Sequence, residues 1–239
     1  KGIELTDHAK YLLPTAEKIV RLMDNCEAYF ASGMGKDQEV SIILTWGAME
    51  EFAQEPIAEF KRRYPDIYIN IRQEYDMHCE AAEDVAESEL AMTEGPIADD
   101  RFDARLLYTS RYGVVVRKNH RFAGRESINI KELDGIPIAM MREYQKTYSL
   151  LSAAAEAAGA ALNVQKRVNS ALLTYQYANL AQTIGISTKS LAARFVGAHL
   201  RFVPFDDPGL IWTLYLIKRR DRALSAPAAT LERTLLEFV

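Results

Sequence analysis

The chain has 239 residues, 49% of them hydrophobic and 26% charged, a composition that fits one large or two small globular domains and excludes a disordered or fibrous chain. Lys plus Arg total 29 against 33 Asp plus Glu, a formal net charge of -4, which is the wrong sign for a surface that must neutralise many phosphates. The longest apolar runs, such as Gly113–Val116 and Ile136–Met141, fall far short of the roughly 20 residues that cross a bilayer, so no membrane span is expected.

The opening Lys1-Gly2-Ile3-Glu4-Leu5 lacks an initiator Met and the basic, apolar, small-residue order of a secretory signal, so a fragment without an export signal is expected. Leu5, Ala9, Leu12, Ala16, Ile19, Met23, Cys26 and Phe30 then recur at alternating steps of four and three. That heptad spacing predicts a long helix with one narrow apolar stripe, N-capped by Thr6 and kinked near Pro14. A stripe this narrow suits pairing with another helix, with Leu12, Ala16, Ile19 and Met23 as the dimer seam; packing on its own domain is the alternative. Gly33–Asp37 reads as a hinge.

An α/β pattern follows. Val40–Trp46 is a strand, Met49–Tyr64 a helix, and Ile67, Ile69 and Ile71 alternate with polar residues as a second strand. Asp76–Glu87 reads as helix, with the acids of Glu80–Glu89 on a solvated face, and Leu90–Thr93 as a third strand, an order that predicts a parallel sheet. Further strands are predicted at Leu106–Tyr108, Gly113–Arg117, Ile136–Met141, Val164–Val168, Ile184–Ser187, Phe202–Pro204 and Trp212–Ile217. Helices fit Thr147–Ala158, Leu172–Gln182, Ser190–Gly197 and a last one capped by Ser225 with Pro227 in its first turn. Two α/β lobes joined by more than one chain crossing are the natural reading.

Several segments, in order, resemble LysR-type transcriptional regulators. Gly2–Thr6 with Leu12-Leu13-Pro14 resembles the end of the winged-helix module and the linker helix. Phe60–Asp66 resembles the family's helix-to-strand turn, Ala86–Pro96 its third-strand segment with Glu89 where Asp is usual, and Asn119–Gly124 its turn of the form DHPLAG. Val168-Asn169-Ser170 with Thr183–Ser187 resembles its paired VNS and GIG segments. The resemblance implies an α/β fold: a two-lobed, periplasmic-binding-protein-like (type 2) effector domain preceded by a long linker helix. Residues 1–38 would be the wing end, linker and hinge, and 39–239 the effector domain, with lobe I at about 39–112 and 217–239 and lobe II at about 113–216.

Ligands of parallel α/β lobes sit beyond the carboxyl ends of the strands, where helix N-termini converge. On that rule the candidate ligand-binding residues are Thr45, Trp46, Gly47 and Ala48 after the first strand, Thr93 and Glu94 after the third, and Arg142, Gln145 and Lys146 after Ile136–Met141. Asn169 and Ser187 complete the set. Arg142 or Lys146 would pair with a carboxylate, each alone reading equally as a solvated side chain; Trp46 would cover a flat ligand or fill the pocket; Asn169 would cap a helix or touch the ligand.

Cys26 and Cys79 lack CxxC spacing and are expected reduced and partly buried. The four histidines lack paired ligand spacing, and no GxSxG, P-loop or GxGxxG is present, so no metal, cofactor or catalytic residue is expected. The expected function is a cytoplasmic, ligand-sensing part of a DNA-binding transcription regulator, not an enzyme, taking a small anionic organic effector between the lobes. It would form a dimer or tetramer and reach DNA only through the missing N-terminal module. The rival readings are a transporter's solute-binding protein, which needs an export signal and has no use for a heptad helix, and an enzyme on the same lobes.

Overall fold

A computed structural model describes residues 6, 8, 9, 12, 13, 15, 16, 19, 20, 23, 38–80, 88–180 and 183–239. The chain divides into two compact units, Lys1–Glu39 and Val40–Val239. In the first unit every described residue from 8 to 23 is helical, and the Ala9 N–H donates to Thr6 Oγ1 at 3.2 Å, as an N-cap requires. The expected kink at Pro14, the hinge at Gly33–Asp37, Cys26 and the remaining heptad positions Leu5 and Phe30 lie outside the described residues.

The second unit opens with β1 (Glu39–Thr45), which is covered on both faces: Ile42 and Leu44 on one and Ile43 on the other are fully buried. The helix that follows, α1, starts at Trp46–Ala48, widens into a π-helical stretch at Met49–Ala53 and closes as α-helix at Gln54–Arg63. Then come β2 (Tyr68–Glu74), the single helical turn α2 (Asp76–Cys79) and β3 (Leu90–Glu94), which runs parallel to β1. Of the helix expected to Glu87, Glu80 is already in a turn, and residues 81–87 lie outside the described residues.

The two strands expected at Leu106–Tyr108 and Gly113–Arg117 are one 16-residue strand, β4 (Phe102–Arg117). Its first half pairs antiparallel with β9 (Ile211–Arg219), which pairs on its other side with β3. Its second half enters a second sheet, pairing antiparallel with β7 (Ile184–Thr188) and β8 (Leu200–Pro204). There β5 (Pro137–Met141) runs parallel to β7 and to β6 (Asn163–Val168). The parallel pairing expected among the first strands holds between β1 and β3, and β5 is parallel to both its neighbours, while β4 and β9 stitch the sheets antiparallel.

Two strand segments cross between the lobes side by side. Tyr112 in β4 donates its N–H to the Leu210 carbonyl at 3.0 Å and accepts from the Phe205 N–H at 3.0 Å, so the outward crossing is hydrogen-bonded to the returning one. Gly113 is required next to it, because a Cβ there would lie 2.4 Å from the Val203 carbonyl oxygen. On lobe II, α3 (Lys146–Ala157) follows β5, α4 (Ala171–Asn179) follows β6 and α5 (Lys189–Phe195) follows β7. The last helix, α6 (Ala226–Leu236), starts at the expected cap Ser225 and buries Leu231 and Leu235.

The acids of Glu80–Glu89 do not form a solvated face where they are described. Glu80 accepts from Thr93 and Lys146, and Glu89, held at φ 56°, accepts from both the N–H (2.6 Å) and Oγ (2.9 Å) of Ser225. These carboxylates find donors on distant segments, which local periodicity does not reveal. Cys79 is a free, fully buried thiol, so it is more deeply placed than expected.

Candidate functional site

A small cavity of about 30 Å³ lies between the lobes, in the position that the strand-end rule predicts. Lobe I lines it with Trp46 and Gly47 at the end of β1, Glu50 and Glu51 in the π-helical stretch, Glu94 at the end of β3, and Trp212 in β9. Lobe II contributes Met141, Gln145 and Thr147 around the start of α3, Asn169, Ser170 and Ala171 at the start of α4, and Ile186, Ser187 and Thr188 at the end of β7. Tyr112, at the crossing, lines it too.

Among the described residues, carboxylates of lobe I accept hydrogen bonds from donors on lobe II. Ser170, the N-cap of α4, donates to Glu50 Oε1. Thr188 and Ser190 donate to the two oxygens of Glu51. Thr147 Oγ1 donates to Glu94 Oε2 at 2.9 Å and lies 2.8 Å from the Tyr112 hydroxyl. The backbone N–H of Lys146, first residue of α3, donates to Asp76 Oδ2 at 2.9 Å. A carboxylate at a helix N-terminus satisfies an orphan amide and the helix dipole together.

Burial raises the pKa of each of these acids. For Glu50 it outweighs the opposing bonds from Ser170 and Ala171, and for Glu51 those from Ser190 and Thr188. Glu94 is pushed up to about 8 by burial and then by the neighbouring charge of Asp76, itself raised by burial.

Six of the sequence-predicted residues line the cavity: Trp46, Gly47, Glu94, Gln145, Asn169 and Ser187. The others do not. Thr45 turns its hydroxyl to the Ala48 N–H at 3.2 Å, capping the helix, and Ala48 is buried behind it. Thr93 bonds Glu80 instead of facing a ligand. Lys146 Nζ donates to Glu80 and to the carbonyls of Glu94 (2.7 Å) and Pro96 (2.9 Å). Arg142 Nε donates to Asn169 Oδ1 at 2.7 Å. The two cations expected to meet an anionic effector are thus bonded within the chain in this structure, and among the described residues the acids lining the cavity are Glu50, Glu51 and Glu94.

Asn169 does not cap α4; its neighbour Ser170 does. Sequence reasoning missed Glu50, Glu51, Tyr112, Thr147, Ser170, Thr188 and Trp212. The adjacent acids Glu50-Glu51 just past a strand–helix junction were the available signal, and the π-helical stretch that carries them is a feature enriched at functional sites. The seam residues Leu12, Ile19 and Met23 are 61%, 54% and 60% exposed, with Ala16 half-buried.

A family described as the LysR substrate binding domain matches residues 35–239. Among solved structures, the regulatory domain of CcmR from Synechocystis PCC6803, in complex with 2-PG, is similar at TM-score 0.75 and 16% identity, covering 83% of this chain and 96% of that one. HinK, a LysR family transcriptional regulator from Pseudomonas aeruginosa, is similar at TM-score 0.70 and 16% identity over 98% of this chain and 81% of that one. The effector binding domain of QuiR in complex with shikimate gives TM-score 0.72 and 13% identity over 84% and 96%. None of the curated proteins matches.

Proposed function

The chain belongs to the LysR substrate binding domain family, and from that premise we propose that a small organic effector binds in the cavity between its two lobes and reports through their closure. The family reading makes it the ligand-sensing part of a transcription regulator. The observation that carries the proposal is the geometry of the cleft. Both lobes line one cavity, and they are joined by adjacent strand crossings at Tyr112 and Phe205–Leu210, so a ligand that bridges them biases one motion.

In this reading residues 1–38 are the wing end, linker and hinge and 39–239 the effector domain, and the return to lobe I begins with β9 at Ile211, earlier than the expected 217, because β9 pairs along its length with the first half of β4 and with β3. The protein works without catalysis, in the cytoplasm. Leu12, Ala16, Ile19 and Met23 form the seam that pairs two copies, supported by the exposure of three large apolar side chains on one helical face. DNA is contacted through the regulator's winged-helix module. Among the described residues no helix is long and apolar enough to cross a membrane.

A thermal-shift screen of small metabolites against the chain, followed by titration of each hit against Trp46→Ala and Asn169→Ala, tests the effector site. Hits should lose affinity in both variants while the unliganded melting curves stay cooperative. Hits indifferent to both substitutions would move the site out of the cleft.

A further inference from the structure

The geometry points to an organic ammonium as the group that this cleft recognises, an inference that rests on the reading of the cavity as the effector site and goes on to its chemistry. Glu50, Glu51 and Glu94 line the cavity, and no Lys or Arg does among the described residues. The cations nearby are committed elsewhere: Arg194 donates to the Glu50 carbonyl at 2.7 Å, Lys146 to Glu80 and two carbonyls, and Arg142 to Asn169.

The donors that would receive an anion are occupied from within. Ser170 at the head of α4 holds Glu50, the first N–H of α3 holds Asp76, and the hydroxyls of Thr147, Thr188 and Ser190 hold Glu94 and Glu51. An incoming carboxylate would have to displace one of the protein's own. An ionised carboxylate offers about four acceptor sites, and the hydroxyl bonds to Glu50 and Glu51 leave part of that capacity open to a ligand donor.

A second and independent feature is aromatic. The indoles of Trp46 and Trp212 and the phenol of Tyr112 line the same cavity, and the negative face of an aromatic ring, best of all Trp, attracts a cation. Carboxylates and indole rings around one small space select a positive charge by two different physical effects. The cavity of about 30 Å³ exceeds the roughly 10–15 Å³ that one water needs on the same measure, so it has room for a primary ammonium head and the start of its carbon chain. Trp46, 38% exposed, stands at the rim, while Trp212 is buried at 3%, so the carbon skeleton of the ligand would leave past Trp46.

The chain has two tryptophans, both on the cavity, so intrinsic fluorescence reads the site directly. The experiment titrates butylamine, putrescine and choline, and butyrate and benzoate as anionic counterparts, at constant ionic strength. The primary amines should give saturable changes and the carboxylates none, with choline weaker because its quaternary head has no N–H to donate to a carboxylate. Glu50→Gln and Glu51→Gln, in which an amide oxygen still accepts from the hydroxyls, should each weaken amine binding roughly ten-fold or more, since a charge-assisted bond becomes a neutral one. Glu59→Gln, on the outer face, should leave affinity unchanged.

Saturable carboxylate binding that persists or tightens in the Gln variants would overturn the ammonium assignment and leave the cleft as the effector site. Amine binding untouched by either Gln variant and by Trp46→Ala would overturn both readings. A flat response to all three amines would overturn the assignment as well.

Discussion

The Asp76 carboxylate, on the turn after β2, accepts the backbone N–H of Lys146, the first residue of α3, at 2.9 Å across 70 positions of sequence. Gln145, in the N-cap position of α3, makes no side-chain cap bond, so one lobe supplies the cap that the other lobe's helix lacks. Asp76 is 1% exposed, which makes the contact a buried clasp.

Asp76→Ala should therefore lower stability by about 0.5–2 kcal/mol, the usual cost of a lost N-cap, while Asp76→Asn, which keeps an acceptor, should lose less. Urea unfolding of the three proteins measures this. Equal stability of the Ala variant and the parent would show that the contact contributes nothing to closure.

Stability should also depend on pH through the cleft acids. A carboxyl whose folded pKa is raised binds protons more tightly folded than unfolded, so its contribution is fully present below the unfolded value and is lost as pH rises through the folded one. For Glu94 that window runs from 4.5 to about 8, and Glu50, Glu51 and Asp76 act in the same direction. Glu94→Gln, which mimics the protonated acid, should melt close to the parent at pH 5 and above it at pH 8. A parent more stable than the variant at pH 8 would contradict the burial argument.

How much of this was legible follows from the range of each interaction. Helix caps such as Ser225 and strand ends such as Thr45 and Glu94 are local, and spacing finds them. The clasp residues are not local: Ser170 meets Glu50, and Thr188 and Ser190 meet Glu51, over 120, 137 and 139 positions. Arg142 and Lys146 read as free cations for the same reason, their partners lying 27 and 66 positions away. β4 reads as two strands because Ser110-Arg111-Tyr112-Gly113 resembles a break, whereas the backbone passes from one sheet to the other without ending.

Packing at the cleft makes Gly47 the most sensitive small residue there. A Cβ at this position would stand 2.9 Å from Glu94 Oε1 and 3.2 Å from Trp212 Cζ2, so either the carboxylate or the indole must move. Gly47→Ala should cost on the order of 1–3 kcal/mol, the range for overpacking a filled interior, and should shift Trp emission. Gly124→Ala, where a Cβ meets nothing within 4 Å, is the control. Differential scanning calorimetry with fluorescence separates the two, and a Gly47 variant indistinguishable from the control would mean that the cleft is looser than its distances indicate.

The seam of the N-terminal helix gives the last prediction. Leu12, Ala16, Ile19 and Met23 fall at steps of four, three and four, which keeps them on one helical face, and Leu12, Ile19 and Met23 stand 61%, 54% and 60% exposed in the single chain. Large apolar side chains in a row at this exposure are stabilised by a partner helix, and a heptad stripe of this width fits one partner strand more readily than a globular surface. Replacing Ile19 and Met23 together with Glu would place two charges against apolar residues of the second copy, where burial without pairing is strongly unfavourable. Light scattering at a concentration where the parent is oligomeric should then report a smaller particle. The mass falls all the way to that of one chain if the helix is the sole contact and part of the way if the effector domains pair as well. An unchanged mass would remove the helix from the assembly.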